Sequence, residues 1–124
     1  MKRIEAYERA IAENVRDVRT LEFNLTMFWA YRNSKAAKTE DLNFAEVIWE
    51  EDIDPIVTAC REYGIEQITI SSAFSSLTKT LWELQKRGCT IGGMKMVPQT
   101  WTNYNPETGC SEQAKEPGII INIK

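Results

Sequence analysis

Apolar residues recur every three or four positions over the first part of the chain, at Ile4, Tyr7, Ile11, Val18, Leu21, Leu25 and Phe28, with Asn14 filling the gap. Neither glycine nor proline interrupts residues 2–37. This spacing puts the apolar positions on one helical stripe, close to a heptad repeat. Unbroken, the helix would be ~54 Å long at a rise of about 1.5 Å per residue. A compact domain of this size has a diameter of only roughly 35 Å. The helix over residues 1–38 therefore either breaks or projects. The section "TLEFNLTMFW" (20–29) has the weakest helix propensity. A projecting stripe needs a partner, so Ile11, Val18, Leu21 and Leu25 form a candidate seam for a homodimer.

The pattern then changes. Residues 39–53, "TEDLNFAEVIWEEDI", are acidic but carry Phe44, Val47, Ile48 and Trp49. Asn43 and Glu46 have the spacing of a capping box, which predicts a short helix. In "DPIVTACREYG" (54–64), Asp54 suits a helix N-cap, Pro55 the first helical position and Gly64 the stop. "IEQITIS" (65–71) is rich in β-branched residues and predicts a strand. A helix over 75–87 follows, with Leu77, Leu81 and Leu84 on one face, and then a second strand, "CTIGGMKMV" (89–97). Such a strand–helix–strand run predicts a parallel crossover. "NPETG" (105–109) reads as a turn, and "GIIINIK" (118–124) as a strand apolar enough to lie centrally. The fold class is α+β: N-terminal helices followed by a β-α-β-β unit, with a small mixed sheet covered by helices. No linker divides the chain. A single domain is expected over 1–124, made of the long N-terminal helix (1–38), the acidic helical segment (39–64) and the strand–helix–strand–strand part (65–124).

The net charge of −3 is unevenly spread. Residues 1–38 hold eight basic and five acidic side chains; residues 39–64 hold one basic and eight acidic. That asymmetry favours a partner with its own uneven charge and argues against direct nucleic-acid binding. No histidine is present, which removes histidine-based nucleophile systems, metal sites and pH switches together. Cys60, Cys89 and Cys110 are odd in number and match no disulfide or zinc spacing. They read as reduced thiols of a cytoplasmic protein. The start lacks the apolar stretch of a secretory signal, and no run reaches the ~20 apolar residues of a membrane span. Neither a metal nor a cofactor is expected.

Candidate chemistry is sparse. The turn in "ITISSAFSSLTK" (68–79) offers Ser72, Ser75, Ser76 and Lys79 near a helix start, where an anion can sit. The glycines of phosphate-binding loops are missing, and serine is also a preferred cap. Trp101 and Tyr104 are placed to stack on a ligand or to make cross-strand pairs. Glu46, Trp49, Glu50, Glu51 and Asp52 form an acidic, aromatic segment suited to a basic partner surface. The first reading of its acidic run is nonetheless a solvated cluster favoured by the helix dipole, with the partner surface second and a metal last. Glycine weakens a strand unless a bulge or close approach requires it; Gly92 and Gly93 predict a helix packed tightly onto the strand, with a ligand contact as the alternative. No catalytic residue stands out.

The stretch "GIEQITISSAFSSLTKTLWELQKRGCTIGGMKMV" and the later "TG…AK.P…I" resemble the central part of small uncharacterised proteins of anaerobic gut bacteria and their mobile elements. The resemblance spans about residues 55–124 and carries no assigned activity. The leading reading is a non-enzymatic cytoplasmic interaction or accessory protein. The resemblance makes a mobile-element-encoded inhibitor of a host defence protein one version of it, with the acidic segment occupying a basic channel. The second reading is a small-molecule or nucleotide-binding module using the Ser71–Ser76 turn. A carboxylate- or cysteine-based enzyme comes third.

Overall fold

A computed structural model describes residues 1–14, 23–46, 48–71 and 77–123. Among these, the order is α1 (Glu5–Ala12), α2 (Leu25–Ala37), β1 (Leu42–Phe44), α3 (Glu50–Glu62), β2 (Gln67–Ile70), α4 (Leu77–Lys86), β3 (Thr90–Asn105) and β4 (Cys110–Asn122). The fold is α+β, as expected. The described part of the N-terminal stripe turns inward. Ile4, Tyr7 and Ala10 are buried, and Ile11 packs partly buried against the core. The Tyr7 ring lies among those of Phe23, Phe28, Tyr31 and Tyr63, with centroids 4.6 to 6.0 Å apart. Such ring clusters combine a large buried area with favourable edge-to-face geometry. Helix α2 starts afresh behind Asn24, whose side chain accepts the Met27 N–H at 3.0 Å.

The sheet among the described residues has the order β1-β2-β4-β3. β1 and β2 are parallel, and β4 runs antiparallel to both β2 and β3. β2 and β3 therefore share a direction but do not touch, because β4 lies between them. The adjacent parallel crossover is β1–α3–β2 instead. Residues 42–44 were expected to start a helix and form a strand. Leu42 and Phe44 pair with Ile68 and Ile70, and all four are buried in the core cluster. On the other face, Asn43 pairs with Thr69. The alternation of a strand thus outweighs the capping-box spacing at Asn43. Helix α3 likewise begins at Glu50, earlier than Asp54, and Pro55 lies inside it. Glu50, Glu51 and Asp52 occupy its first turn, where the dipole favours acids.

The β3–β4 hairpin holds two irregularities, between Ile91 and Gly93 and between Pro98 and Thr102. The first is a bulge, with Gly93 at φ +111, so that glycine answers to backbone geometry rather than to a helix packed on it. Gly118 answers to packing: a Cβ there would lie 2.7 Å from Val97 Cγ2. Helices α3 and α4 are tied by Arg87. Its Nε donates to Asp54, and its Nη1 to the Glu83 carbonyl (2.8 Å) and carboxylate (2.9 Å).

Two expectations follow. Gly118→Ala should cost ~1–3 kcal/mol by overpacking, and adding Val97→Ala should cost less than the sum of the two single changes, as read by denaturant unfolding. The Arg87 hydrogen bonds hold the Asp54 and Glu83 carboxyls below their ordinary values of 3.8 and 4.5. A depressed folded pKa contributes stability that is fully present above the ordinary value and is lost as pH falls through the lowered one. Arg87→Met should therefore be less stable than the parent near neutral pH, and the two stabilities should converge in acid below 4.5.

Candidate functional site

Because β1 and β2 are parallel, their carboxyl ends open on the same side, the usual position of ligand crevices in such sheets. Two neighbouring cavities lie there. The first, of about 190 Å³, is lined by Thr26, Trp29, Asn33, Phe44, Glu46 and Trp49. The second, of about 250 Å³, is lined by Asn33, Asn43, Glu46, Pro98, Gln99 and Trp101, among others. Three elements or their ends supply the tryptophans: Trp29 from α2, Trp49 from the residue capping α3, and Trp101 from β3. Glu46 is the one charged side chain among the described residues lining either cavity.

A buried polar network supports this cleft. Ser34 Oγ accepts the Asn43 N–H at 2.9 Å and donates to the Asn43 carbonyl at 3.2 Å, fixing α2 to β1. Thr69 Oγ1 donates to Asn43 Oδ1 at 2.7 Å, and Asn43 Nδ2 donates to Ser71 Oγ at 2.9 Å. Gln99 Nε2 donates to the same Ser71 oxygen and to the Val97 carbonyl, each at 3.1 Å. Gln113 Nε2 bridges the Ala37 and Gln99 carbonyls at 2.8 and 2.9 Å, joining α2 to the hairpin. Every bond closes a pair that would otherwise be costly to bury.

The structure places Glu46 at both cavities, lining the first with Trp49 and the second with Trp101; the sequence singled out Glu46 and Trp49 for a partner and Trp101 for a ligand. Glu50 and Glu51 follow Trp49 and are exposed; Lys79 Nζ lies 3.1 Å from Glu50 Oε2. Asp52 has an internal task, accepting from Asn24 Nδ2 at 3.0 Å and Thr26 Oγ1 at 2.7 Å. Tyr104 stands exposed farther along the hairpin. Leu25 is half-buried in α2. Ser72, Ser75, Ser76, Val18 and Leu21 lie outside the described residues. Sequence reasoning missed Trp29, Asn33 and Gln99, which carry no motif, and took Asn43 for a helix cap. Burial pushes the Cys60 thiol up to about 12, with Cys89 adding to the shift, and burial raises Cys89 as well. Neither is a nucleophile at neutral pH.

A family model described as a domain of unknown function (DUF7698) matches residues 26–123, from α2 through β4, and the chain belongs to that family. No curated protein and no solved structure matches the chain. Among the described residues, no helix is long and apolar enough to cross a membrane.

Thr69→Val keeps the shape but removes the hydroxyl that satisfies Asn43 Oδ1. It should lower stability by ~1–3 kcal/mol, measured by urea unfolding; an unchanged midpoint would mean that Asn43 finds another donor.

Proposed function

We propose that this member of the DUF7698 family is a non-enzymatic interaction protein that grips a basic segment of a partner at the Trp49 end of the cleft. One observation carries the reading: Trp49 is 61% exposed beside the cavity that Trp29 and Glu46 also line, and is followed in the chain by exposed Glu50 and Glu51. Exposed tryptophans at the centre of acidic surfaces are favoured anchors in interfaces. An arginine or lysine can lie over the indole face while its charge meets a carboxylate. The molecule already sets one cation over an indole: the Arg32 guanidinium sits 4.9 Å from the centre of the Trp29 ring.

The cleft is suited to holding rather than converting. Amides, hydroxyls and indoles dominate its described polar lining, and Glu46 has no second carboxylate or base beside it in that lining. A cytoplasmic partner with a basic nucleic-acid channel, such as a host defence nuclease, is one concrete form, and a mobile-element gene would then encode its inhibitor.

An arginine-rich peptide titrated against the full chain should quench tryptophan fluorescence. Trp49→Ala should weaken binding about tenfold or more, as expected for an aromatic anchor worth ~2 kcal/mol. Glu46→Gln with Glu50→Gln and Glu51→Gln should flatten the dependence on salt. Peptide binding indifferent to both changes would overturn the reading.

A further inference from the structure

The cavity of about 190 Å³ beside Trp49 is aromatic and acidic at once. Trp29, Phe44 and Trp49 line it together with Glu46. Three separate elements supply the aromatic residues: Trp29 stands on α2, Phe44 ends β1 and Trp49 precedes α3. Two further lining residues, Ala30 and Ala45, have side chains too short to fill the space. The charge around it is negative. Glu46 belongs to the wall, and Glu50 and Glu51 are exposed in the first turn of α3. Thr26, also in the wall, has given its hydroxyl proton to Asp52 at 2.7 Å. A cation is drawn to such a place and an anion is not.

We propose that this cavity binds a methylated ammonium group: a trimethyl-lysine side chain of the partner's basic segment, or a free quaternary amine of the choline type. The inference deepens the partner-surface reading, and the lysine source rests on it. The count of N–H groups selects among cations. A lysine ammonium carries three donors and a guanidinium five. Indole and phenyl faces leave such donors underpaired, which is costly once water is excluded. A quaternary ammonium has no N–H to satisfy, and its charge, spread over methyl groups, meets the negative faces of the rings. An arginine stacked on the exposed Trp49 indole keeps its donors in water and has no need of the cavity. Size agrees as well. An apolar cavity of ~150 Å³ takes benzene, so this one has room for a trimethylammonium group and the methylenes next to it. The Arg32 guanidinium lies over Trp29 but Arg32 does not line the cavity. Repulsion from it places the ligand's cation toward Trp49 and Glu46.

The test titrates choline, and its uncharged isostere with a tert-butyl group in place of the trimethylammonium, against the full chain. A lysine peptide with and without trimethylation follows, all read by calorimetry and indole N–H chemical shifts. Choline should bind saturably at millimolar concentration or below, and the isostere about tenfold more weakly. Trp49→Ala, at an exposed position, should weaken choline about tenfold. Glu46→Gln should weaken it about twofold to fivefold. Trp82→Ala removes an indole that is equally exposed but outside the cavity, and should change nothing. A trimethylated peptide that binds more tightly than the unmodified one assigns the group to a modified lysine. Choline binding with no gain from methylation of the peptide assigns it to a free quaternary amine. Failure of both choline and the trimethylated peptide to saturate at millimolar concentration, equal binding of choline and its isostere, or indifference to Trp49→Ala would refute the proposal. An arginine-rich peptide that binds where choline does not leaves the partner surface standing without this site; choline that binds where every peptide fails does the reverse.

Discussion

Asn43 has to satisfy a helix and a sheet at once, and much of the molecule is arranged around that demand. Its main chain is held by Ser34 of α2, and its side chain by Thr69 and Ser71 of the neighbouring strand end. The residue is buried, so any group left unpaired would cost about as much as a typical damaging mutation. The solution fixes three relations together: the position of α2 along β1, the register of β1 on β2, and the position of the Ser71 oxygen that accepts from Gln99. An apolar residue at 43 could fill the space but would fix none of the side-chain relations. The network therefore specifies an arrangement more than it adds stability, as buried polar groups do in other contexts.

The same network separates two kinds of surface. Below it, Leu42, Phe44, Ile68 and Ile70 join the apolar core with the helices. Above it, the cleft keeps amide and indole groups in fixed positions near an acidic rim. A scaffold that fixes its polar groups through packed strands loses little freedom when something binds.

Much of the fold was legible because it rests on long patterns. The apolar run ending the chain belongs to β4, which has a strand on either side, and the leucines of 77–84 point to α4. The short strand β1 was not legible: three residues give too little alternation, and Asn43 and Glu46 fit a helix start equally well. The early start of α3 was hidden by Pro55, whose best single position is the first turn; Asp52, held by Asn24 and Thr26, lies one turn upstream. Trp49, Trp101 and Glu46 could be singled out by residue type alone. That Glu46 would line one cavity with Trp49 and another with Trp101 could not, since it depends on how α2, β1 and the hairpin are packed together. Gln99 had no local signal, because its role comes from Val97 and Ser71, one two residues away and the other 28.

The placement of β4 between β2 and β3 sets an order of assembly. During synthesis β1 and β2 leave the ribosome first, and Ile68 and Ile70 must wait for Ile121 and Ile119, some fifty residues later. Until then the inner edge of β2 is an open strand carrying bare isoleucines. Distant pairings of this kind slow folding, and unpaired strand edges invite association with other nascent chains. The hairpin, by contrast, pairs locally from its turn and can form early. A chain stalled or cleaved within the hairpin would thus leave a half-sheet without its centre, a species for chaperones and proteases rather than a smaller working version of the protein.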